Sequence, residues 1–197
     1  MYSTHNRESY LSNPNEKVSQ HGVKLEKDNN ITLVGDYLAK SLEEKDVNVI
    51  HTKEDYYATN EGNYKGLYKL SRKTVKGVLK ENPNVKMTFD IQNTSLPREK
   101  TTIKINGQKA AKVYFIVDQK NPNWQENSDF ANEINKTLEE MYPGVSGGII
   151  EKKSIKGWNQ DLHSQSLIIN IGGKGNTFNE AYRTADMLAN VVAELQK

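Results

Sequence analysis

The sequence predicts an α/β fold in which a mixed central β-sheet is flanked by helices. Three observations support this prediction: strand-like and helix-like segments alternate along the chain, an Asn106-Gly107 pair indicates an antiparallel hairpin, and Ser166–Ile171 is an apolar run followed by a helical pattern. Alternating strands and helices favour a layered α/β architecture, and a hairpin adds antiparallel pairing to such a sheet. A chain of 197 residues has the size of one domain and can bury a sizeable core without covalent cross-links.

Composition excludes several classes of protein. The chain has 27 basic and 25 acidic residues, interspersed, for a net charge of +2, so we expect no nucleic-acid partner. Cysteine is absent, which rules out disulfides and cysteine-ligated metal sites. The apolar runs are too short to span a membrane, and no signal segment opens the chain. We therefore expect no membrane contact by this chain itself and interpret any targeting portion as absent from it.

In the first half of the chain, the residue pattern predicts two helices and one short strand. Apolar residues recur at helical spacing from Ile31 to Leu42, with Asn29 or Asn30 as the N-cap. Val47–His51 is interpreted as a strand, and Asp55–Tyr68 as a long connection. The second helix is predicted from the spacing of Leu70, Thr74, Val78 and Leu79, ending before Asn82-Pro83.

The second half predicts strands, the hairpin and two longer helices. Val85–Ile91 alternates like a strand that stops at Gln92, and Thr101–Ile105 pairs with Lys109–Val117 across the Asn106-Gly107 turn. The remaining predicted elements are a helix over Trp124–Met141, a strand at Ile149-Ile150, the strand Ser166–Ile171, and a last helix after an Asn176-Thr177 cap.

Polar side chains near the strand ends are candidates for a site, because ligands meet α/β sheets at the carboxyl ends of the strands. Gln92 and Asn170 hold such positions, and His5 and Glu8 lie in the opening segment. Imidazole and carboxylate are ligands that a catalytic zinc prefers. A pair three residues apart is also common in exposed polar turns, and that alternative stays open on the motif alone.

Thr4-His5-Asn6-Arg7-Glu8-Ser9-Tyr10 resembles the opening motif of the stage II sporulation protein P family, zinc-dependent N-acetylmuramoyl-L-alanine amidases that cut peptidoglycan during spore engulfment. Further blocks in the same order extend the resemblance over nearly the whole chain. They are Asn30–Leu42, Asp55–Val75, Ser95–Arg98, Lys100–Thr102 with Asn106-Gly107, Asn121–Trp124, Tyr142–Gly144, Asn159–Leu162 and Gly172–Thr177. The resemblance implies one amidase-like (phosphorylase/hydrolase-like) domain over residues 1–197.

The resemblance also implies where the chemistry should lie, and the sequence departs from the family there. A family histidine that completes the zinc site corresponds to Gln92, and a catalytic glutamate corresponds to Asn170. The expected metal positions are thus His5, Gln92 and a carboxylate, which is either Glu8 or Glu26. An amide oxygen suits harder cations better than zinc, so zinc retention is doubtful.

The chain has three other histidines. His163 precedes the last strand and is either a substitute ligand or, as we favour, an ordinary loop residue. His21 and His51 have no polar constellation around them and are interpreted as surface residues.

Substrate contacts are expected from Arg98, Asn159 and Gln160, whose donors suit a stem peptide or a glycan. The alternative is that these side chains only cap and brace loops. The rings of Trp158, Tyr56, Tyr57 and Tyr64 are candidates for a sugar-binding surface or for ordinary turns.

These observations lead to three hypotheses. The first is a peptidoglycan amidase homologue of sporulation with little or no activity, because Gln92 and Asn170 replace the chemistry. The second is an active zinc amidase that cleaves the MurNAc–L-Ala bond. The third is a non-catalytic module that contacts another sporulation protein. The resemblance implies an extracytoplasmic place, in the cell wall or septal space.

Overall fold

The computed structural model describes residues 1–16, 25–154 and 158–196. Within these ranges the chain alternates helices and strands, which confirms the predicted α/β class. The helices are α1 (Ile31–Glu43), α2 (Tyr56–Thr59), α3 (Leu67–Glu81), α4 (Arg98–Thr101), α5 (Trp124–Met141) and α6 (Phe178–Glu194). The strands are β1 (Thr88–Thr94), β2 (Thr102–Ile105), β3 (Gln108–Ala111), β4 (Val113–Asp118), β5 (Ser146–Lys152) and β6 (Ser166–Gly173).

The central sheet has the strand order β1-β6-β4-β5. β1 runs parallel to β6, β4 runs antiparallel to β6, and β5 runs parallel to β4. The sheet is therefore mixed, as predicted. Its mixed character comes from the pairing of β4 with β6, because the β2–β3 hairpin forms a separate two-stranded sheet.

Alternating side chains give the sheet two different faces. Phe89, Ile91, Phe115, Leu167 and Ile169 face the main core, which they share with α1, α5 and α6. The residues between them face the other way. A smaller apolar cluster of Tyr114, Ile116 and Ile168 lies on this second face, together with polar side chains of β1 and β6.

Local signals set the helix starts. Asn30 caps α1 by accepting a hydrogen bond from the Thr32 N–H at 3.0 Å. Thr177 and Glu180 form a capping box at the start of α6, which satisfies two otherwise unpaired N–H groups. In α3, by contrast, the buried residues are Leu67, Ser71 and Val75 and not the predicted line through Leu70. The helix also begins at Leu67, three residues earlier than expected.

The predicted strand Val47–His51 is not formed. The Met1 ammonium donates to the Ile50 carbonyl at 2.6 Å, and the Thr52 N–H donates to the Met1 carbonyl at 3.0 Å. Both bonds are made by Met1, and pairing with a single residue is too short to form a β-ladder. Tyr2 makes an isolated bridge to Asp90 of β1.

Two further boundaries differ from the sequence prediction. β1 begins at Thr88 and continues past Gln92 to Thr94, because β6 pairs with it through Gly173. The predicted strand Lys109–Val117 divides at Lys112. The N–H of Lys112 donates to the Thr101 carbonyl and its own carbonyl accepts from Gly172, so the backbone changes partners there. The Asn106-Gly107 turn is confirmed, with both φ angles positive at 49° and 81°.

Interpreting His51 as a surface residue is wrong. Its side chain is 6% exposed, and its Nδ1 lies 2.9 Å from Asp36 Oδ1. The ring packs against Gly35 of α1, where the missing side chain leaves room for it. His21 lies outside the described residues. No described helix is long and apolar enough to cross a membrane.

Candidate functional site

A groove of about 730 Å³ lies on the second face of the sheet, over the carboxyl ends of β1 and β6. The sheet contributes Gln92, Ile116, Ile168 and Asn170 to its floor. The opening segment contributes His5, the loop before α3 contributes Tyr64, Lys65 and Gly66, and α3 contributes Tyr68, Lys69 and Arg72. The opposite wall contains Lys152, Trp158 and Asn159. The predicted meeting of strand-end polar residues therefore occurs here.

A tight turn brings His5 and Glu8 together. The Glu8 N–H donates to the His5 carbonyl at 3.0 Å, and His5 Nδ1 lies 3.4 Å from Glu8 Oε1. Glu8 is buried, and its second oxygen accepts from the Asn93 N–H of β1 at 2.9 Å. The pair is thus fixed to the end of the strand that contains Gln92.

Asp55 anchors the same turn from the other side. Arg7 donates to both Asp55 oxygens, at 3.1 and 2.6 Å, and the Asn6 side chain donates at 2.8 Å. Burial alone would raise the pKa of Asp55, but the hydrogen bonds from Arg7, Asn6 and the Ala58 N–H lower it to about 2. The carboxylate therefore stays charged and holds the turn at neutral pH.

The Gln92 side chain belongs to a hydrogen-bond network beneath the groove. Its Nε2 donates to Asp90 Oδ2 at 2.9 Å and to the Tyr68 hydroxyl at 3.0 Å. Asp90 is 1% exposed and also accepts from the Thr4 N–H at 2.8 Å. Burial raises the pKa of Asp90 to about 6, against the hydrogen bonds from Thr4 and Gln92 and the charge of His5.

The neighbours of His5 favour its protonated form. Burial alone would lower the pKa of the imidazolium, but hydrogen bonds with Glu8 and Gln92 and the carboxylate of Asp90 raise it above its ordinary value. The ring also packs against Tyr68 edge-on, with centroids 5.5 Å apart. The imidazole is therefore bound to protein groups on several sides.

Gln92 and Asn170 are direct neighbours on adjacent strands, in register across the β1–β6 ladder. Both side chains line the groove. The Asn170 Oδ1 is buried and has no hydrogen-bond partner among the described residues. The two side chains thus form one amide patch in the groove.

These residues do not fit a catalytic zinc. A zinc site of this kind needs three protein ligands with an open fourth position. Among the residues that the structure describes, only His5 and Glu8 meet here as ligand side chains. Gln92 directs its amide nitrogen to Asp90 and Tyr68, and its neutral amide oxygen suits harder cations better than zinc. In the described ranges, no three His, Cys, Asp or Glu side chains group as a metal site.

The alternative ligands lie elsewhere. Glu26 is not among the residues that line the groove, and its backbone N–H donates to the Arg7 carbonyl at 2.9 Å. His163 lies near the start of β1. Its Nε2 contacts the Val85 carbonyl at 3.2 Å, and its Nδ1 accepts from the Gln165 N–H at 3.0 Å. Both ring nitrogens of His163 are thus engaged away from the groove.

Of the expected substrate contacts, only Asn159 faces the groove. It also donates to Ser71 Oγ at 2.9 Å, which joins its loop to α3. Gln160 is 1% exposed and bonds the backbone of Asp118 and Ile116. Arg98 donates to the Gly175 carbonyl and to both oxygens of Glu180, and so braces the start of α6.

The aromatic candidates divide in the same way. Trp158 and Tyr64 line the groove, and Tyr57 packs against Tyr64 with centroids 5.4 Å apart. Tyr56 is 3% exposed and lies in the protein interior.

Sequence reasoning missed Tyr68 and the basic residues of the groove. In α3, Arg72 lies four residues after Tyr68 and three after Lys69, which places it beside each of them on the helix surface. That spacing was a usable signal. Lys152 was beyond prediction, because only the tertiary fold brings β5 to this wall.

A model of the family described as Stage II sporulation protein P (SpoIIP) matches residues 1–193. The chain belongs to this family. It is 35% identical over 201 residues to Stage II sporulation protein P of Bacillus subtilis (strain 168), covering 99% of this chain. This family member spans about half the length of that curated relative, 50%.

Solved structures share the fold of this family member at low identity. One is the N-acetylmuramyl-L-alanine amidase Ami1 from Mycobacterium smegmatis, with TM-score 0.56, 12% identity, and coverage of 98% of this chain and 93% of that one. Another is the CwlD amidase from Clostridioides difficile in complex with the GerS lipoprotein, with TM-score 0.54, 15% identity, and coverage of 83% and 81%. The predicted amidase-like architecture is confirmed.

Proposed function

We propose that this SpoIIP-family chain binds peptidoglycan in its groove and has little or no amidase activity. The observation that supports the proposal is the amide patch of Gln92 and Asn170, next to a His5–Glu8 pair that lacks a third ligand side chain. Family membership supports peptidoglycan as the ligand, and the groove supplies the space for it.

These residues lack two components of amidase chemistry: a zinc-activated water and a positioned acid or base. A catalytic zinc would lower the pKa of a bound water to about 7, and the donor set here does not suit that metal. Asn170 carries no titratable proton, so it cannot activate a water or protonate a leaving amine. A positioned acid or base contributes about 10² to 10⁴ in rate. Both deficits act on the same step, so the remaining rate is expected to be very low.

The test compares the unmodified chain with the double variant Gln92→His, Asn170→Glu. Each is incubated with purified peptidoglycan and zinc, and released stem peptides are quantified. We expect no release above background from the unmodified chain and measurable release from the double variant. Adding His5→Ala to the double variant is the matched control and should abolish its activity. Robust release by the unmodified chain would contradict the proposal and favour an active zinc amidase.

A second candidate function is a protein-interaction module of the sporulation machinery. It is motivated by the CwlD structure, in which that amidase is in complex with the GerS lipoprotein. Co-sedimentation with purified cell walls separates the two functions. Binding to walls supports the peptidoglycan receptor and an extracytoplasmic place in the wall or septal space. Failure to bind walls, together with binding to a sporulation protein, supports the interaction module.

A further inference from the structure

The walls of the groove are basic. Lys65, Lys69 and Lys152 line it and are exposed, and in the described ranges no carboxylate forms a salt bridge with any of them. Arg72 differs, because Asp161 binds its guanidinium through two hydrogen bonds of 2.6 and 2.5 Å. The groove therefore presents three uncompensated ammonium groups.

The described residues that line the groove include no carboxylate. Glu8 and Asp90 are buried beneath the floor, 6% and 1% exposed, and are occupied by protein donors. A ligand in the groove thus meets positive charge on the walls and neutral amides on the floor. Such an environment favours an anion, because the lysines attract negative charge and no described carboxylate in the lining repels it.

The floor offers one unused acceptor. Asn170 Oδ1 is buried without a hydrogen-bond partner in the described part of the chain. A buried acceptor without a partner is unfavourable, and an N–H from a ligand would satisfy it. Peptide N–H groups are donors of this kind. The rings of Trp158 and Tyr64 lie beside the same floor and add apolar surface.

We propose that the groove selects peptidoglycan stem peptides whose carboxylates are free over those whose carboxylates are amidated. Lys65, Lys69 and Lys152 pair with the carboxylates, and Asn170 accepts a peptide N–H. This inference rests on the proposed function, that the groove binds peptidoglycan without cleaving it. Amidation removes the negative charge while keeping the shape, so the discrimination is electrostatic.

The experiment measures binding of soluble disaccharide–peptide fragments of peptidoglycan by calorimetry. One set has free stem-peptide carboxylates, and the other set is identical except that the carboxylates are carboxamides. We expect affinity for the amidated set to be about tenfold weaker, the effect of losing one or two exposed charge contacts. The difference should shrink as salt increases, because exposed charges are screened.

Variants assign the effect to the groove. Lys65→Gln with Lys69→Gln should weaken binding of the free-carboxylate set and largely remove the discrimination. The matched control is Lys40→Gln with Lys136→Gln, whose side chains are 77% exposed on α1 and α5, and it should bind like the unmodified chain. Equal affinity for both sets would overturn the inference and leave the proposed function standing. Failure to bind either set would overturn both.

Discussion

Two amide side chains change the chemistry of the groove. Gln92 ties His5, Asp90 and Tyr68 into one hydrogen-bond network. Asn170 beside it supplies an acceptor and no titratable proton. Against the effect of burial, Glu8 and Asp90 raise the pKa of His5 above its ordinary value and so favour its protonated form.

This network predicts an unusual dependence of stability on pH. The pKa of Asp90 is raised to about 6 by burial, against about 3.9 in an unfolded chain. The folded state therefore binds a proton first as pH falls, and the free energy of unfolding should rise between pH 7 and 4, by up to about 3 kcal/mol. His5 acts in the same direction. Its pKa is raised, so its contribution is present below about pH 6.5 and is lost as pH increases.

Below about pH 4 the sign reverses. The pKa of Asp55 is lowered to about 2, so its stabilising contribution disappears as it becomes protonated. Urea unfolding at a series of pH values should show maximum stability near pH 4 to 5. Asp90→Asn is the comparison variant and should flatten the rise between pH 6 and 4. An unmodified chain whose stability is constant from pH 7 to 4.5 would contradict this account.

At the residue level, sequence reasoning named four residues that the structure places close together, but not the partners around them. His5, Glu8, Gln92 and Asn170 were predicted from motif and strand position, and the structure brings them together. Arg98 was expected at the ligand, yet it binds Glu180 of α6. Nothing local in the sequence specifies that pairing, because the two residues are 82 positions apart.

Among the elements, α1 contacts the segment that follows it closely, at Gly35 and His51. A Cβ added at Gly35 would lie 2.6 Å from His51 Nε2 and 2.7 Å from its Cε1. His51 is buried and bound to Asp36, so the ring has little freedom to move away.

Gly35→Ala is therefore expected to destabilise the protein by about 1 to 3 kcal/mol, as overpacking does. The matched control is Gly77→Ala in α3, where an added Cβ meets nothing within 4 Å. Alanine has the higher helix propensity, so that change should stabilise by about 0.5 to 1 kcal/mol. Chemical denaturation of both variants measures the difference. Equal effects of the two substitutions would show that the His51 contact is unimportant.

Elements defined by local signals were predicted well from the sequence. The Asn30 cap, the Thr177 capping box and the Asn106-Gly107 turn all depend on neighbouring residues. Elements that depend on distant partners were predicted less well. Val47–His51 has strand-like residues but no ladder, and the change of sheet at Lys112 is set by contacts with Thr101 and Gly172.

Over the whole molecule, the amidase-like fold is present, and a groove lies on the second face of its sheet. Fold alone therefore does not establish activity, because function depends on the site. The sheet still brings the carboxyl ends of β1 and β6 beneath one groove, which is the arrangement that ligand binding requires.

The most direct test of the central claim is zinc binding by the folded chain, measured by calorimetric titration and by metal content after dialysis. The unmodified chain should retain far less than one zinc per molecule, because Gln92 adds no third ligand side chain to His5 and Glu8. Gln92→His supplies an imidazole at the same position and should bind zinc at least about tenfold more tightly. Zinc that stays near one per chain in the unmodified protein, and is lost in His5→Ala, would contradict the account.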